Sequence, residues 1–193
     1  MPHIVSPLRI ESRRSGLLLV DLQEKLCPAI EGIESVLERA LVLTQACDEL
    51  QIPRIATVQY PDGLGNLVEP IGSHYPSPHE KLDFSAAVCR TAIDPWSEAD
   101  RDQVVLVGIE THICILQTAL DLQAEGKQVY VVLDAVASRN AQDHIHGLER
   151  MRSCGIHIVS LESVLFEWLG SSRHASFRPI SQVIKGLNVP STA

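Results

Sequence analysis

The chain has 193 residues, 45% of them hydrophobic, and a formal net charge of −8 with histidine neutral. That apolar fraction fits a globular chain with a substantial core rather than a disordered one. The acidic balance argues against nucleic acid as the main partner, because phosphate binding concentrates Lys and Arg.

In chain order, an arm (residues 1–14) precedes "GLLLVDLQ" (16–23), whose near-continuous apolar character predicts a buried strand. "IEGIESVLERALVLTQACDEL" (30–50) has helical periodicity. A second strand is predicted over "IPRIATVQY" (52–60), followed by a long Gly/Pro-rich loop, "PDGLGNLVEPIGSHYPSPHEKLDFS" (61–85). "VVLVGIE" (104–110) predicts a strand and the residues after Thr111 a helix. "QVYVVLDAVAS" (128–138), "AQDHIHGLERMRSCG" (141–155) and "IHIVS" (156–160) then predict strand, helix and short strand. In the tail (171–193), "FRPISQVIKGL" carries an apolar stripe of Phe177, Ile180, Val183, Ile184 and Leu187, suited either to its own core or to a second copy of the chain. Apolar strands alternating with helices predict a single three-layer α/β/α domain with a mostly parallel open sheet, spanning 1–193.

No apolar run reaches the roughly 18 residues that span a bilayer, so no membrane partner is expected. The N-terminal "MPHIVSPLRIESRRSG" lacks the apolar segment of a secretory signal. The five cysteines, Cys27, Cys47, Cys89, Cys114 and Cys154, are odd in number and form no CxxC. Free thiols in a reducing compartment, and a cytoplasmic location, are the expectation.

In open α/β sheets, ligands bind beyond the carboxyl ends of the strands. Asp21 follows the first strand there, Cys114 follows "VVLVGI" by one short turn, and Lys81 comes from the long loop. A cysteine in the first turn of a helix faces unpaired N–H groups and the positive end of the dipole, which favour thiolate. A carboxylate takes the thiol proton, and a lysine beside it holds the carboxylate's orientation and balances its charge. Backbone N–H groups at the same turn receive the oxygen of a tetrahedral intermediate. Taken alone, each of the three has a blander reading: a cap, a surface lysine and a core cysteine. Cys27, Cys47, Cys89 and Cys154 have no such partners and read as structural.

Three stretches carry a resemblance: "LLLVDLQEKL", "HEKLDFSA" and "VVLVGIETHICILQTALDLQAEGKQVYVVLDAVASR", joined by "ESVLFEWLG" near the end. On them the chain resembles the isochorismatase-like cysteine hydrolases, which include nicotinamidases and N-carbamoyl amidohydrolases, over about residues 15–187. The resemblance implies Asp21 as general base, Lys81 as triad lysine and Cys114 as nucleophile. It also implies a cis peptide at Ile109–Glu110 and an oxyanion hole made by the N–H groups of Glu110 and Cys114, with the Glu110 side chain a bystander. Gln23 and Phe84 are expected near the pocket, Phe84 and Ser85 as support for Lys81, and Asp134 and Ser138 as braces of the nucleophile turn.

Nicotinamidases of this family carry an Asp-x-His pair and a further His for a metal. Here Asp62 is followed by Gly63 and Leu64, His74 and His79 lack a carboxylate at ligand spacing, and His144 and His146, two apart on a helix, do not share a face. No metal or other cofactor is therefore expected, and the "QYPDGLG" loop resembles the branch known as isochorismatase-domain proteins. The expectation is a metal-independent hydrolase of a C–N bond in a small amide, assembled as a homo-oligomer. The alternative is a ligand-binding or redox-responsive protein that keeps the pocket and thiol.

Overall fold

The computed structural model describes residues 4–187; the ends of the expected arm and tail, 1–3 and 188–193, lie outside the described residues. Strand β1 (Ser15–Val20) is buried throughout. After it come α1 (Ile33–Leu50), β2 (Arg54–Gln59), two single-turn helices α2 (Pro61–Leu64) and α3 (Ile71–His74), and the short strand β3 (His79–Lys81). Next are α4 (Arg90–Glu98), β4 (Gln103–Ile109), and a π-helical turn over Thr111–Ile115 that runs into α5 (Leu116–Ala124). The order closes with β5 (Gln128–Ala137), α6 (Ala141–Ser153), β6 (His157–Val159), α7 (Leu161–Leu169) and α8 (Phe177–Gly186).

The six strands form one sheet in the order β3-β2-β1-β4-β5-β6, and every neighbouring pair is parallel. Parallel neighbours need crossovers, which the helices supply while covering both faces. Side chains alternate accordingly. Leu17, Leu19, Val105, Val107 and Val132 pack with α1, α7 and α8. Leu18, Val20, Val104, Leu106 and Val131 pack with Trp96 of α4, Leu122 of α5 and Met151 of α6.

Two features differ from expectation. The 61–85 stretch contains α2, α3 and β3 rather than loop alone. Three residues are too few for a period-two pattern to show, so β3 exists through its pairing with Thr57–Gln59. Helices α4, with Pro95 inside it, and α7 are additional to the predicted elements.

The tail helix spends most of its stripe on its own core: Ile180 is buried, and Phe177, Ile184 and Leu187 pack against the same cluster. Gly108 sits where β4 passes the end of β1, at φ 120°; a Cβ there would lie 2.0 Å from the Val20 carbonyl oxygen. No other residue type fits that approach. Among the described residues no helix is long and apolar enough to cross a membrane.

Candidate active site

The chain leaves β1 for β2 and β3 on one side, then returns to lay β4 on the other. Such a reversal opens a crevice at the carboxyl ends of the strands. Asp21, Lys81 and Cys114 come from three strand ends around it.

Asp21 turns off β1 with a left-handed backbone, φ 56°, a conformation Asp tolerates better than most residues. Its N–H donates to the Thr57 carbonyl at 3.1 Å. One carboxylate oxygen, Oδ1, accepts the Thr57 hydroxyl at 2.8 Å, and the other, Oδ2, accepts Lys81 Nζ at 2.6 Å. Both side chains are fully buried. Lys81 Nζ also donates to Gln59 Oε1 at 2.8 Å and lies 3.2 and 3.3 Å from the Phe84 and Asp83 carbonyl oxygens. A buried ion pair persists only when its remaining polar valences are satisfied in this way.

Thr57 and Gln59 escaped the sequence reading. Their signal was present: two polar residues, two apart and therefore on one face, in the strand "RIATVQ".

Cys114 occupies the π-helical turn and is 8% exposed. Burial first, and the Asp21 carboxylate second, push its thiol up to about 12, against the pull of Lys81 and the Glu110 N–H. Both effects oppose the thiolate expected from the helix start. Desolvation and an adjacent anion outweigh the backbone N–H groups.

The Ile109–Glu110 peptide is cis. The Glu110 carbonyl accepts the N–H groups of Ile113 and Ile115 at 3.0 and 3.2 Å. Outward, Thr111 Oγ1 lies 2.9 Å from His144 Nδ1, and His112 Nδ1 lies 2.9 Å from Ser138 Oγ. Ser138 therefore does brace the nucleophile turn, through His112. Asp134 does not: it accepts Arg39 Nε at 3.3 Å and the Leu161 N–H at 2.9 Å, pinning the start of α7.

Gln23 is fully buried, and its amide is spent on main chain. It accepts the Gln59 N–H at 2.7 Å and donates to the carbonyls of Gln59 and Gly65 at 3.0 and 2.7 Å. It is a strut between β1, β2 and the following turn, with no amide group left for a pocket. Phe84 supports Lys81 through its carbonyl, while the residue as a whole is 53% exposed. Ser85 caps the short turn at 86–88, and Thr118 Oγ1 accepts the Ala86 N–H at 2.8 Å, tying that segment to α5.

Cys89 is buried near enough to Asp21 and Lys81 to feel both charges, with burial raising its thiol. Cys27 and Cys47 are buried and Cys154 is exposed, all as free thiols. Among the histidines, His144 turns toward Thr111, His146 lies outside beside Glu149 at 3.3 Å, and His74 sits 3.7 Å from Asp48. Among the described residues no group of three or more His, Cys, Asp or Glu is arranged to hold a metal ion.

An all-parallel α/β sheet with a buried carboxylate, ammonium and thiol at its switch point defines a fold-and-site class. The isochorismatase domain model matches residues 15–163. Isochorismatase domain-containing protein 2 of Danio rerio is 39% identical over 176 residues, covering 91% of this chain and 89% of the relative. The chain belongs to the isochorismatase family. Among solved structures, one described as MAR1 ribonuclease from Caenorhabditis elegans superposes with a TM-score of 0.87 at 31% identity, covering 96% and 97% of the two chains. Nicotinamidase PncA from Bacillus subtilis gives 0.69 at 20% identity over 76% of this chain and 99% of its own, a likeness of fold.

Proposed function

We propose that the protein is a cysteine hydrolase that cleaves the C–N bond of a small amide through a thioester, without a metal. The observation that carries this reading is the buried contact of Lys81 Nζ with Asp21 Oδ2, 2.6 Å, beside the Cys114 thiol. Asp21 accepts the thiol proton as the sulfur attacks the amide carbon. The carbonyl oxygen becomes an oxyanion facing the N–H groups of Glu110 and Cys114. The C–N bond then breaks, and the departing nitrogen takes the proton from Asp21, giving ammonia or an amine and an acyl-Cys114 thioester. Asp21 next removes a proton from water, hydroxide adds to the thioester, and the expelled sulfur recovers the proton. The products are the acid and the free enzyme.

The high proton affinity of Cys114 suits this sequence, since the thiolate forms only when substrate accepts its charge. It counts against a peroxide-sensing role, which needs a standing thiolate. The ribonuclease description of the C. elegans structure raises phosphodiester cleavage as another reading. The net charge of −8 and a site lysine already committed to Asp21, Gln59 and two carbonyls offer little to neutralise phosphate. We also propose a homo-oligomer, on the strength of Leu82, Phe84 and Val88, which stand 75%, 53% and 46% exposed beside the site. The test of the activity is ammonia release from a panel of primary amides by the wild type and by Cys114→Ala. Turnover lost in the variant supports the reading; turnover retained refutes it.

A further inference from the structure

Glu110 carries two sets of observed contacts. Its carbonyl closes the nucleophile turn through Ile113 and Ile115, while its N–H pulls the Cys114 thiol down. Its side chain, 9% exposed, reaches the end of β5. There the carboxylate accepts the Arg139 main-chain N–H at 2.9 Å and Arg139 Nε at 3.0–3.1 Å.

Next along the chain, Thr111 and His112 are tied to the same 138–147 segment by His144 and Ser138. Gly147 lets α6 come close: a Cβ there would lie 3.1 Å from His112 Cα. The turn that carries the nucleophile is thus held from outside by one neighbouring segment.

We propose that the Glu110 carboxylate is a positioning group, and that its grip on Arg139 fixes the Glu110 backbone at the start of the nucleophile turn and so the direction of its N–H toward the oxygen of the bound substrate. The proposal rests on the hydrolase reading above. A donor aimed at a developing oxyanion is useful only while its direction is fixed in advance. A carboxylate accepting a main-chain N–H and a guanidinium N–H is a firm anchor for that purpose. The Glu110 side chain is therefore more than a bystander to the oxyanion hole.

Two substitutions separate reach from charge. Glu110→Asp keeps the charge but is one methylene too short for Arg139; Glu110→Gln keeps the reach and still accepts the Arg139 N–H. Because displacement of a catalytic group by about 1 Å can cost about 100-fold, Glu110→Asp is expected to lower kcat roughly 10- to 100-fold with KM within about twofold. Glu110→Gln is expected to recover most of that loss, staying within about fivefold of wild type. Equal or better turnover in Glu110→Asp than in Glu110→Gln, or an effect on KM alone, overturns the proposal.

A second readout needs no substrate: iodoacetamide alkylation of Cys114 against pH, followed by mass spectrometry in a Cys154→Ser background. Glu110→Asp should move the profile to higher pH, because the displaced Glu110 N–H no longer favours the thiolate, and Glu110→Gln should leave it near wild type. Unmoved profiles in both overturn the proposal. Should Glu110→Asp fail to fold, Arg139→Ala decides instead. Its side chain is 61% exposed, and losing one of two charge-assisted bonds should lower kcat roughly two- to fivefold at an unchanged Tm. Unchanged kcat and an unchanged alkylation profile then overturn the proposal. If Cys114→Ala is dead while Glu110→Asp equals wild type, this inference alone fails. If Cys114→Ala is active, the hydrolase reading itself has failed, and the alkylation profiles still decide whether Glu110 positions its N–H.

Discussion

Lys81 and Asp21 stand 60 residues apart in sequence and on strands separated by β2, yet Nζ and Oδ2 meet at 2.6 Å with both side chains fully buried. Thr57 and Gln59 of the intervening strand bind one partner each. Removing one member of such a pair leaves an uncompensated buried charge. Lys81→Met and Asp21→Asn should each cost about 3–5 kcal/mol of stability. The double variant Lys81→Met/Asp21→Asn should be less destabilised than the sum of the two. Urea unfolding of all four proteins checks this; strictly additive losses would show that the pair is not coupled.

Turnover and thiol reactivity should respond to Asp21→Asn with opposite signs. Losing the general base should slow hydrolysis by about 10²–10⁴-fold. The same change removes the anion that, after burial, most raises the Cys114 thiol. At pH 7 Cys114 should therefore react faster with iodoacetamide in Asp21→Asn than in wild type. In wild type it should react more slowly than the exposed Cys154. Cys114→Ala and Cys114→Ser should both be nearly inactive, and adding Asp21→Asn to Cys114→Ala should cost almost nothing more, because the residues act as a unit. Parallel loss of turnover and alkylation in Asp21→Asn would count against the assignment of Asp21.

The strands were legible because buried parallel strands announce themselves as apolar runs; Asp21 and Cys114 directly follow two of them, whereas Lys81 was singled out by the family resemblance of "HEKLDFSA". What stayed hidden depends on pairing rather than pattern. β3 is three residues long and takes its strand character from Thr57–Gln59, so Lys81 read as a loop residue. Gln23 was expected near the pocket, but its proximity to Asp21 in sequence says nothing about the Gln59 and Gly65 backbone groups that consume its amide. The effects that oppose a Cys114 thiolate stayed out of view for a similar reason. Helix-start N–H groups are visible in a sequence, whereas depth of burial is a property of the whole packed sheet.

Assembly is the next expectation. Leu82, the most exposed of the three apolar residues on the 82–88 segment, lies next to Lys81, and its carbonyl accepts Gln59 Nε2 at 2.6 Å. A contact covering Leu82, Phe84 and Val88 would remove three exposed apolar side chains from water. Light scattering at micromolar concentration should return at least twice the 21.2 kDa chain mass. Leu82→Glu/Phe84→Glu should shift it toward the monomer, and a monomeric wild type would refute the expectation.

The last prediction concerns alkaline pH. Cys47 is 0% exposed, and burial pushes its thiol far above the ordinary 9.0; Cys27 is raised to about 11 and Cys114 to about 12, again mainly by burial. Each is an acid whose folded pKa lies above its unfolded value, so the folded state holds protons that the unfolded chain releases. No penalty arises below about pH 9, and stability falls as pH rises from there through the folded values. Each thiol that stays protonated in the folded state contributes a slope of about 1.4 kcal/mol per pH unit. The thermal midpoint should therefore be flat from pH 7 to 8.5 and decline above pH 9. Cys47→Ala, which removes the most deeply buried of these thiols, should flatten the decline even though it creates a small cavity and lowers the midpoint at pH 7. An alkaline slope identical in wild type and Cys47→Ala would show that this thiol ionises as readily in the folded protein as in the unfolded chain.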